Sequence, residues 1–393
     1  MAKLSVRDLP INGKKVFIRV DFNVPLDENL KITDDTRIRS SLPTIKYVLD
    51  QGGIPIIASH LGRPEGEVNP KMSLAPVAER LVKLLNRKVV FAKDCIGEDV
   101  KKIAQALKQG DVLLLENTRF HPEEKSNDMN FSKELASLAQ FYVNDAFGSA
   151  HRAHASVVGV ASYFGDPACG FLMEEEIKYL EGALKNPRRP LLAIIGGAKV
   201  STKIGVIKNL LNTVNNLIIG GGMCFTFYKA KGYTIGKSLC EENFLDEAKT
   251  LSLNAKIYLP IDVLIAEEKK EGSMTKNVDA SAIPENYIGV DIGEQSKNDI
   301  SNMIKDAKTI VWNGPMGIFE IDQFSQGTKY IAHAVAEATK LGAVSIVGGG
   351  DTIAALSKLN LLDKISHAST GGGASLEFLE GKILPGIQAL EDK

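Results

Sequence analysis

Residues 191–211 read LLAIIGGAKVSTKIGVIKNLL. Five apolar residues in a row, a glycine pair, and then apolar residues at helical spacing make one strand, turn and helix unit. The run Leu191–Ile195 is too short for a helix and apolar on both faces, the pattern of a strand covered by layers on either side. Eight other short runs repeat it, at intervals with room for a helix between them. They are KKVFIRV (14–20), GIPIIAS (53–59), DVLLLE (111–116), FYVND (141–145), NLIIGGG (216–222), KIYLP (256–260), TIVWNG (309–314) and VSIVGGG (344–350). Between them lie amphipathic stretches such as SLAPVAERLVKLL (73–85) and IAHAVAEATKLG (331–342). This alternation predicts an α/β protein with parallel sheets wound on both faces.

A chain of 393 residues exceeds the roughly 250–300 residues at which single cores stop growing, so two such domains are expected. The break is expected near MEEEIKYLEGALKNPRRP (173–190), where a helical stretch from Met173 to Leu184 runs into Pro187 and Pro190. The predicted division is 1–172, a connecting helix and hinge over 173–187, a second domain over 188–375, and a tail over 376–393. Composition separates the halves as well. All eleven arginines lie between Arg7 and Arg189, and 23 of the 35 glycines follow Arg189.

A formal charge of −1 gives no global basic field for a polyanion, so nucleic acid is not an expected partner. The opening MAKLSVRDLPINGKK has no apolar leader core and no run approaches a membrane span, which predicts a cytoplasmic protein. Cys95, Cys169, Cys224 and Cys240 are widely spaced, with no CxxC pair. They read as unlinked thiols of a reducing compartment, and no role is assigned to them.

In open parallel sheets, ligands sit beyond the carboxyl ends of the strands. In the first half those positions read DFN, SHLGRP, ENTRFHPEEK and NDAFGSAHRAH, holding four of the six histidines. Asp21, Asn23, His60, Arg63, Arg119, His121, His151, Arg152 and His154 would meet at one sheet edge, and Arg37 from DDTRIRS is a candidate to join them. Guanidinium groups stay charged and match phosphate oxygens bidentately, so their repetition at successive strand ends points to a small, multiply anionic ligand. A lone arginine there would read as an ordinary surface residue. HRAH reads as loop with no carboxylate at a metal-ligand offset, so zinc is not expected on His121, His151 or His154, and the part each of the three plays stays open.

In the second half the strand ends carry GGAKVSTK, GGGM, NGPMG and GGGDT. Glycine turns at helix starts expose backbone N–H groups to an anion, and Lys199 and Lys203, four apart, are expected on one helical face toward it. No GxxxxGK[ST] and no GxGxxG occurs, which removes the P-loop and the main mark of a nicotinamide enzyme. Asp351 suits either a cap on its own helix or Mg²⁺ on a nucleotide's phosphates, and Thr352 suits an N-cap. Glu320, after NGPMG, is a candidate for ribose hydroxyls or an ordinary surface glutamate.

The ordered strings RVDFNVP, SHLGRP, NTRFHPEE, DAFGSAHRAH, IIGGAKVSTK, WNGPMGIFE, VGGGDT and STGGGAS resemble, over nearly the whole chain, the motifs of the phosphoglycerate kinase family. The resemblance implies two Rossmann-like domains joined by a connecting helix, the first binding 3-phosphoglycerate or 1,3-bisphosphoglycerate and the second Mg-ADP or Mg-ATP, in a monomer. By motif position it implies that Asp21, Asn23, Arg37, His60, Arg63, Arg119 and Arg152 hold the glycerate. On the nucleotide side it implies Lys199, Lys203, Asn313, Glu320, Gly349, Gly350, Asp351 and Thr352, with Asp351 on the metal. Arg37, Lys199 and Lys203 would serve catalysis, and the C-terminal tail would cross back to the first domain. Thr118 stands where the family more often has leucine.

Overall fold

Every apolar run named above forms a strand in the computed structural model, which describes residues 2–393. In chain order the strands are β1 (Lys15–Arg19), β2 (Ile54–Ala58), β3 (Val89–Phe91), β4 (Val112–Leu114), β5 (Phe141–Asn144) and β6 (Ala168–Cys169). There follow β7 (Leu191–Ile195), β8 (Asn216–Ile219), β9 (Thr234–Ile235), β10 (Ile257–Tyr258), β11 (Asp262–Ala266) and β12 (Thr275–Asp279). The last five are β13 (Ala282–Ile283), β14 (Ile288–Ile292), β15 (Thr309–Asn313), β16 (Val344–Gly348) and β17 (His367–Ala368).

The first six make one sheet in the order β3-β4-β2-β1-β5-β6, with every pairing parallel. A second six-stranded sheet, β10-β8-β7-β15-β16-β17, is also wholly parallel. Numbered within itself, that second order is 3-2-1-4-5-6, the doubly wound arrangement of dinucleotide-binding folds. The central strands β2, β7 and β15 are buried at every position, which is why they read as unbroken apolar runs rather than alternating ones. Helices close both faces by presenting apolar stripes. The helix Ala75–Leu85 buries Val77, Ala78, Leu81 and Leu85, and the helix Gln326–Lys340 buries Ile331, Ala332, Val335 and Ala336. A three-stranded sheet, β12-β11-β14, and the pair β13-β9 complete the second half.

The chain divides into two compact units, one reaching Ile177 and including Ile383–Lys393, the other Lys178–Lys382. The helix expected over Met173 to Leu184 runs from Phe171 to Lys185 and holds the division within it. Its stripe Met173, Ile177, Leu180 and Ala183 is buried. The tail, expected from 376, leaves the second unit later. The helix Gly373–Leu379 is fastened there by Asn209, whose Nδ2 donates to the Leu379 carbonyl at 2.8 Å. From Ile383 on, the chain belongs to the first unit, where the Gly386 amide donates to Ala150 O at 2.8 Å, the Leu4 amide to Glu391 O at 2.9 Å, and Lys3 pairs with Asp392 at 2.8 Å. No described helix is long and apolar enough to cross a membrane.

Candidate active site

In the first sheet the strand order reverses direction around β1 and β5, and the residues after β1 and its neighbour β2 open into that crevice. The loop after β1 is fixed by its own side chains. The Phe22 amide donates to Ser59 Oγ at 2.8 Å, the Asn23 amide to Asp21 Oδ1 at 3.1 Å, and the Gly62 amide to Asn23 Oδ1 at 2.8 Å. Asn23 therefore ties two strand-end loops together. Asp21 accepts from Arg37 at 2.9 Å, which aims that guanidinium from the first turn of the helix Thr36–Asp50.

Beneath them lies Arg19, fully buried at the end of β1. Its Nε donates to Ser156 Oγ at 2.7 Å, Nη1 to the Val20 carbonyl, and Nη2 to His60 Nδ1 at 3.2 Å. A guanidinium can only donate, so His60 Nδ1 is the acceptor and the neutral ring carries its proton on Nε2. Burial, joined by Arg19, Arg119 and Arg37, pushes the His60 pKa well below its ordinary value against the pull of Asp21. Burial works to raise the Asp21 carboxyl, yet the Arg37 and Arg19 guanidiniums and the Asn23 amide outweigh it and hold the group below its usual range.

Arg119 is carried on a short turn, Thr118–Phe120, after β4. Asn117 shapes that turn by accepting the Arg119 amide at 3.1 Å and donating to the carbonyls of Leu61 at 2.7 Å and Met72 at 2.8 Å. Arg119 Nη1 donates to the Gly62 carbonyl at 2.9 Å while its buried Nε has no partner. Burial, then the nearby Arg19, lowers its pKa to about 10. Arg152 is exposed, yet near enough to act on Arg119 and His154, and burial with those cations drives His154 down to about 3. Arg63 is exposed beside Gly62. Glu124, wholly buried, accepts from the Ser156 amide at 2.9 Å and its hydroxyl at 2.6 Å, and supplies part of the missing negative charge. A cluster so rich in cations, with a buried donor unpaired, is electrostatically incomplete without an anion.

The second crevice lies where β7 and β15 adjoin. The two loops that leave these strands pass so closely that only glycine fits. The Gly196 amide donates to the Asn313 carbonyl at 2.9 Å and the Gly197 amide to Pro315 O at 3.0 Å, and a Cβ on Gly314 would stand 2.2 Å from the Gly196 oxygen. Above this crossing is a cavity of about 300 Å³. Gly197, Gly221 and Gly222 form one wall, Phe225, Tyr228, Leu239 and Met316 are apolar, and Asp351 and Glu320 stand on the rim as exposed carboxylates. Burial lowers the Lys203 pKa to about 8 despite the opposing field of Asp351. Its Nζ donates to Asn313 Oδ1, while Asn313 Nδ2 is buried without a partner.

Two expectations change here. Lys199 and Lys203 do not share a helical face, because the helix begins at Ile204; Lys203 occupies its N-cap position and Lys199 lies in the exposed loop before it. Thr352 is not an N-cap either. Gly349, with φ of 91°, holds that position for the helix Gly350–Lys358, and the buried Thr352 Oγ1 accepts the Gly314 amide at 2.8 Å. Asp351 lies in the first turn of that helix. Asp291 had no assignment. It lines the cavity while accepting the amides of Gly327 at 2.6 Å and Ile292 at 2.9 Å, and burial raises its pKa to about 7. A lone aspartate in IGVDIG gave no sign of this, whereas the charge of Arg19 inside the apolar run KKVFIRV was a visible mark of a buried cation.

Known proteins are similar to this chain in sequence and fold. The family model described as phosphoglycerate kinase matches residues 6–382. The cytosolic phosphoglycerate kinase 3 of Arabidopsis thaliana is 54% identical over 99% of this chain and 98% of its own length. Among solved structures, the phosphoglycerate kinase of Coxiella burnetii superposes with a TM-score of 0.89 at 45% identity, and that of Pyrococcus horikoshii with 0.85 at 31%, each covering 98% of both chains. With an arginine-lined crevice on one parallel sheet, a glycine-walled crevice on the other, and this similarity along its whole length, the chain belongs to the phosphoglycerate kinase family.

Proposed function

We propose that this chain transfers a phosphoryl group reversibly between 1,3-bisphosphoglycerate and ADP, giving 3-phosphoglycerate and ATP. The observation that carries this reading is that each crevice holds a buried nitrogen donor with no protein partner, Arg119 Nε in one and Asn313 Nδ2 in the other. Arg37, Arg63, Arg119 and Arg152, with Asp21, Asn23 and His60, form the glycerate cradle. Lys199, Lys203, Asn313, Gly349, Gly350 and Asp351 face the nucleotide phosphates, Glu320 the ribose, and Thr352 acts from behind by holding the Gly314 turn.

The attacking group in the ATP-consuming direction is a carboxylate, already ionised near neutral pH, so the site needs no general base. It needs charge compensation. Arg37 and Lys203 supply it to the transferring phosphoryl group, and the amides at the start of the helix Gly350–Lys358 receive phosphate oxygens. Asp351, an exposed carboxylate on the cavity rim within the field of Lys203, suits Mg²⁺. When bound, that ion neutralises nucleotide phosphate charge.

The cytosolic name of the plant relative and the free thiols favour a cytoplasmic location. A coupled assay of ATP formation from 1,3-bisphosphoglycerate and ADP tests the proposal. Turnover is expected; tight nucleotide binding without turnover would make the protein a nucleotide sensor instead.

A further inference from the structure

Outside both crevices, three unlike side chains meet where the loop after β3 faces the turn after β4. The two strands pair in parallel, so both loops leave the same sheet edge. Asp94 and Cys95 come from the first, and His121, which caps the helix Pro122–Ser126, from the second. One ligand atom from each lies within 4.8 Å of the other two, and no other such trio of His, Cys, Asp or Glu occurs among the described residues.

The donors are held in place. Asp94 Oδ1 accepts the Cys95 amide at 2.6 Å and meets His121 Nε2 at 2.7 Å, and the His121 ring rests on Phe131 with centroids 5.2 Å apart. Cys95 is fully buried, whereas the Asp94 side chain is 51% exposed, so the group is closed on one side and open to water on the other. Glu123 and Glu124 add negative potential at His121. An aspartate–histidine ion pair accounts for two members of the trio; the third, Cys95, is a buried thiol that burial and the neighbouring Asp94 keep protonated, so a metal here has to displace its proton.

We propose that Asp94, Cys95 and His121 form an open three-ligand site for a zinc-class divalent cation, with water as fourth ligand. Imidazole nitrogen, carboxylate oxygen and thiolate sulfur together suit a borderline-soft ion, and Mg²⁺, which prefers oxygen alone, is excluded by the sulfur. Tetrahedral coordination with metal–ligand bonds of about 2.0–2.3 Å requires the three donor atoms, which lie within 4.8 Å of one another, to rearrange, with the Asp94–His121 pair at 2.7 Å opening to admit the ion. As the bonds form, the Cys95 thiol gives its proton to solvent, and His121 exchanges its Nε2 proton for the metal and keeps the one on Nδ1. Because the His121 amide donates to the Thr118 carbonyl at 3.3 Å, closing the turn that carries Arg119, occupancy weakens 3-phosphoglycerate binding. That coupling rests on the function proposed above; the site does not.

The test uses the full chain with Cd²⁺ as spectroscopic probe in excess Mg²⁺. One equivalent should bind with a sulfur-to-metal charge-transfer band that Zn²⁺ displaces and Mg²⁺ does not. Cys95→Ser should abolish the band. His121→Asn, at a part-exposed position that does not threaten folding, should cost at least about tenfold in affinity, with unchanged thermal unfolding. No binding at micromolar Cd²⁺, a band that survives Cys95→Ser, or unaltered affinity in His121→Asn would each overturn the site. Titration of 3-phosphoglycerate by calorimetry should show weaker binding with Zn²⁺ than without; equal affinity at full occupancy would overturn the coupling alone.

Discussion

Lys203 is held where a cation is costly, partly buried and at the positive end of the helix Ile204–Leu211. Its burial lowers its pKa to about 8 from an ordinary 10.5. The charged form is thus penalised in the folded protein and in full below pH 8, and the penalty is relieved as pH rises from about 8 toward 10.5. Lys203→Met should therefore raise stability at pH 7 in urea titrations while lowering kcat by about 10²–10³, the usual loss when one preorganised donor is removed. In the wild-type chain, kcat/KM for nucleotide should fall as pH passes above about 8, where the free enzyme loses this charge. An unchanged kcat in Lys203→Met would make the lysine a bystander. Asp351→Asn should weaken Mg-ADP binding in calorimetry and leave 3-phosphoglycerate affinity intact, because the Asp351 carboxylate stands only on the rim of the nucleotide cavity. Equal losses would mark a residue that supports the fold instead. Charge is what made these residues legible: arginines and lysines at strand ends announce an anion, while Asp291 accepts a backbone amide from the first turn of a later helix and Thr352 one from the Gly314 turn, and no sequence spacing records such partners.

At the scale of elements, the central strands were plain because burial on both faces leaves an unbroken apolar run. The edge strands β3, β6 and β17 were not, since two or three residues give no period to read. Nor was the small sheet β12-β11-β14, whose outer strand Thr275–Asp279 is polar and mostly exposed. Glycine clusters were legible as turns, but the crossing they permit was hidden, because it depends on two loops more than a hundred residues apart. Gly314 shows what that crossing demands. With φ of 105° and the Gly196 carbonyl 2.2 Å from any added Cβ, alanine must push two backbones apart. Gly314→Ala should lower nucleotide affinity at least tenfold and reduce the unfolding temperature, while 3-phosphoglycerate binding in the other unit persists. Gly342→Ala is the control. Its φ of 98° is equally unfavourable, but nothing lies within 4 Å, so it should cost about 1 kcal/mol of stability without changing affinity.

Across the whole molecule, Arg37 belongs to one compact unit and Lys203 to the other. The helical pattern revealed the element that carries the division and the resemblance implied the return of the tail, whereas its starting point at Ile383 could not be placed, since the residues around it form only short, irregular pieces. Phosphoryl transfer makes a demand that neither unit meets alone. Donor and acceptor must approach to about 3–3.5 Å in line, both cations must reach the same phosphoryl group, and water must be kept from an acyl phosphate. Binding of both substrates should therefore draw the units together about the helix Phe171–Lys185. Solution scattering should give a smaller radius of gyration with both substrates than with either one. Lys178→Pro tests the helix directly, because Lys178 is exposed and its ring replacement removes a mid-helix amide and clashes with the carbonyl one turn back, at a cost of about 3 kcal/mol. Each ligand alone should bind this variant nearly as it binds the wild type, while kcat falls, because the damage lies in the helix that holds the division and in neither crevice. If the radius stays constant with both ligands while turnover is normal, closure is not the mechanism, and movement of the loops within each unit must assemble the site instead.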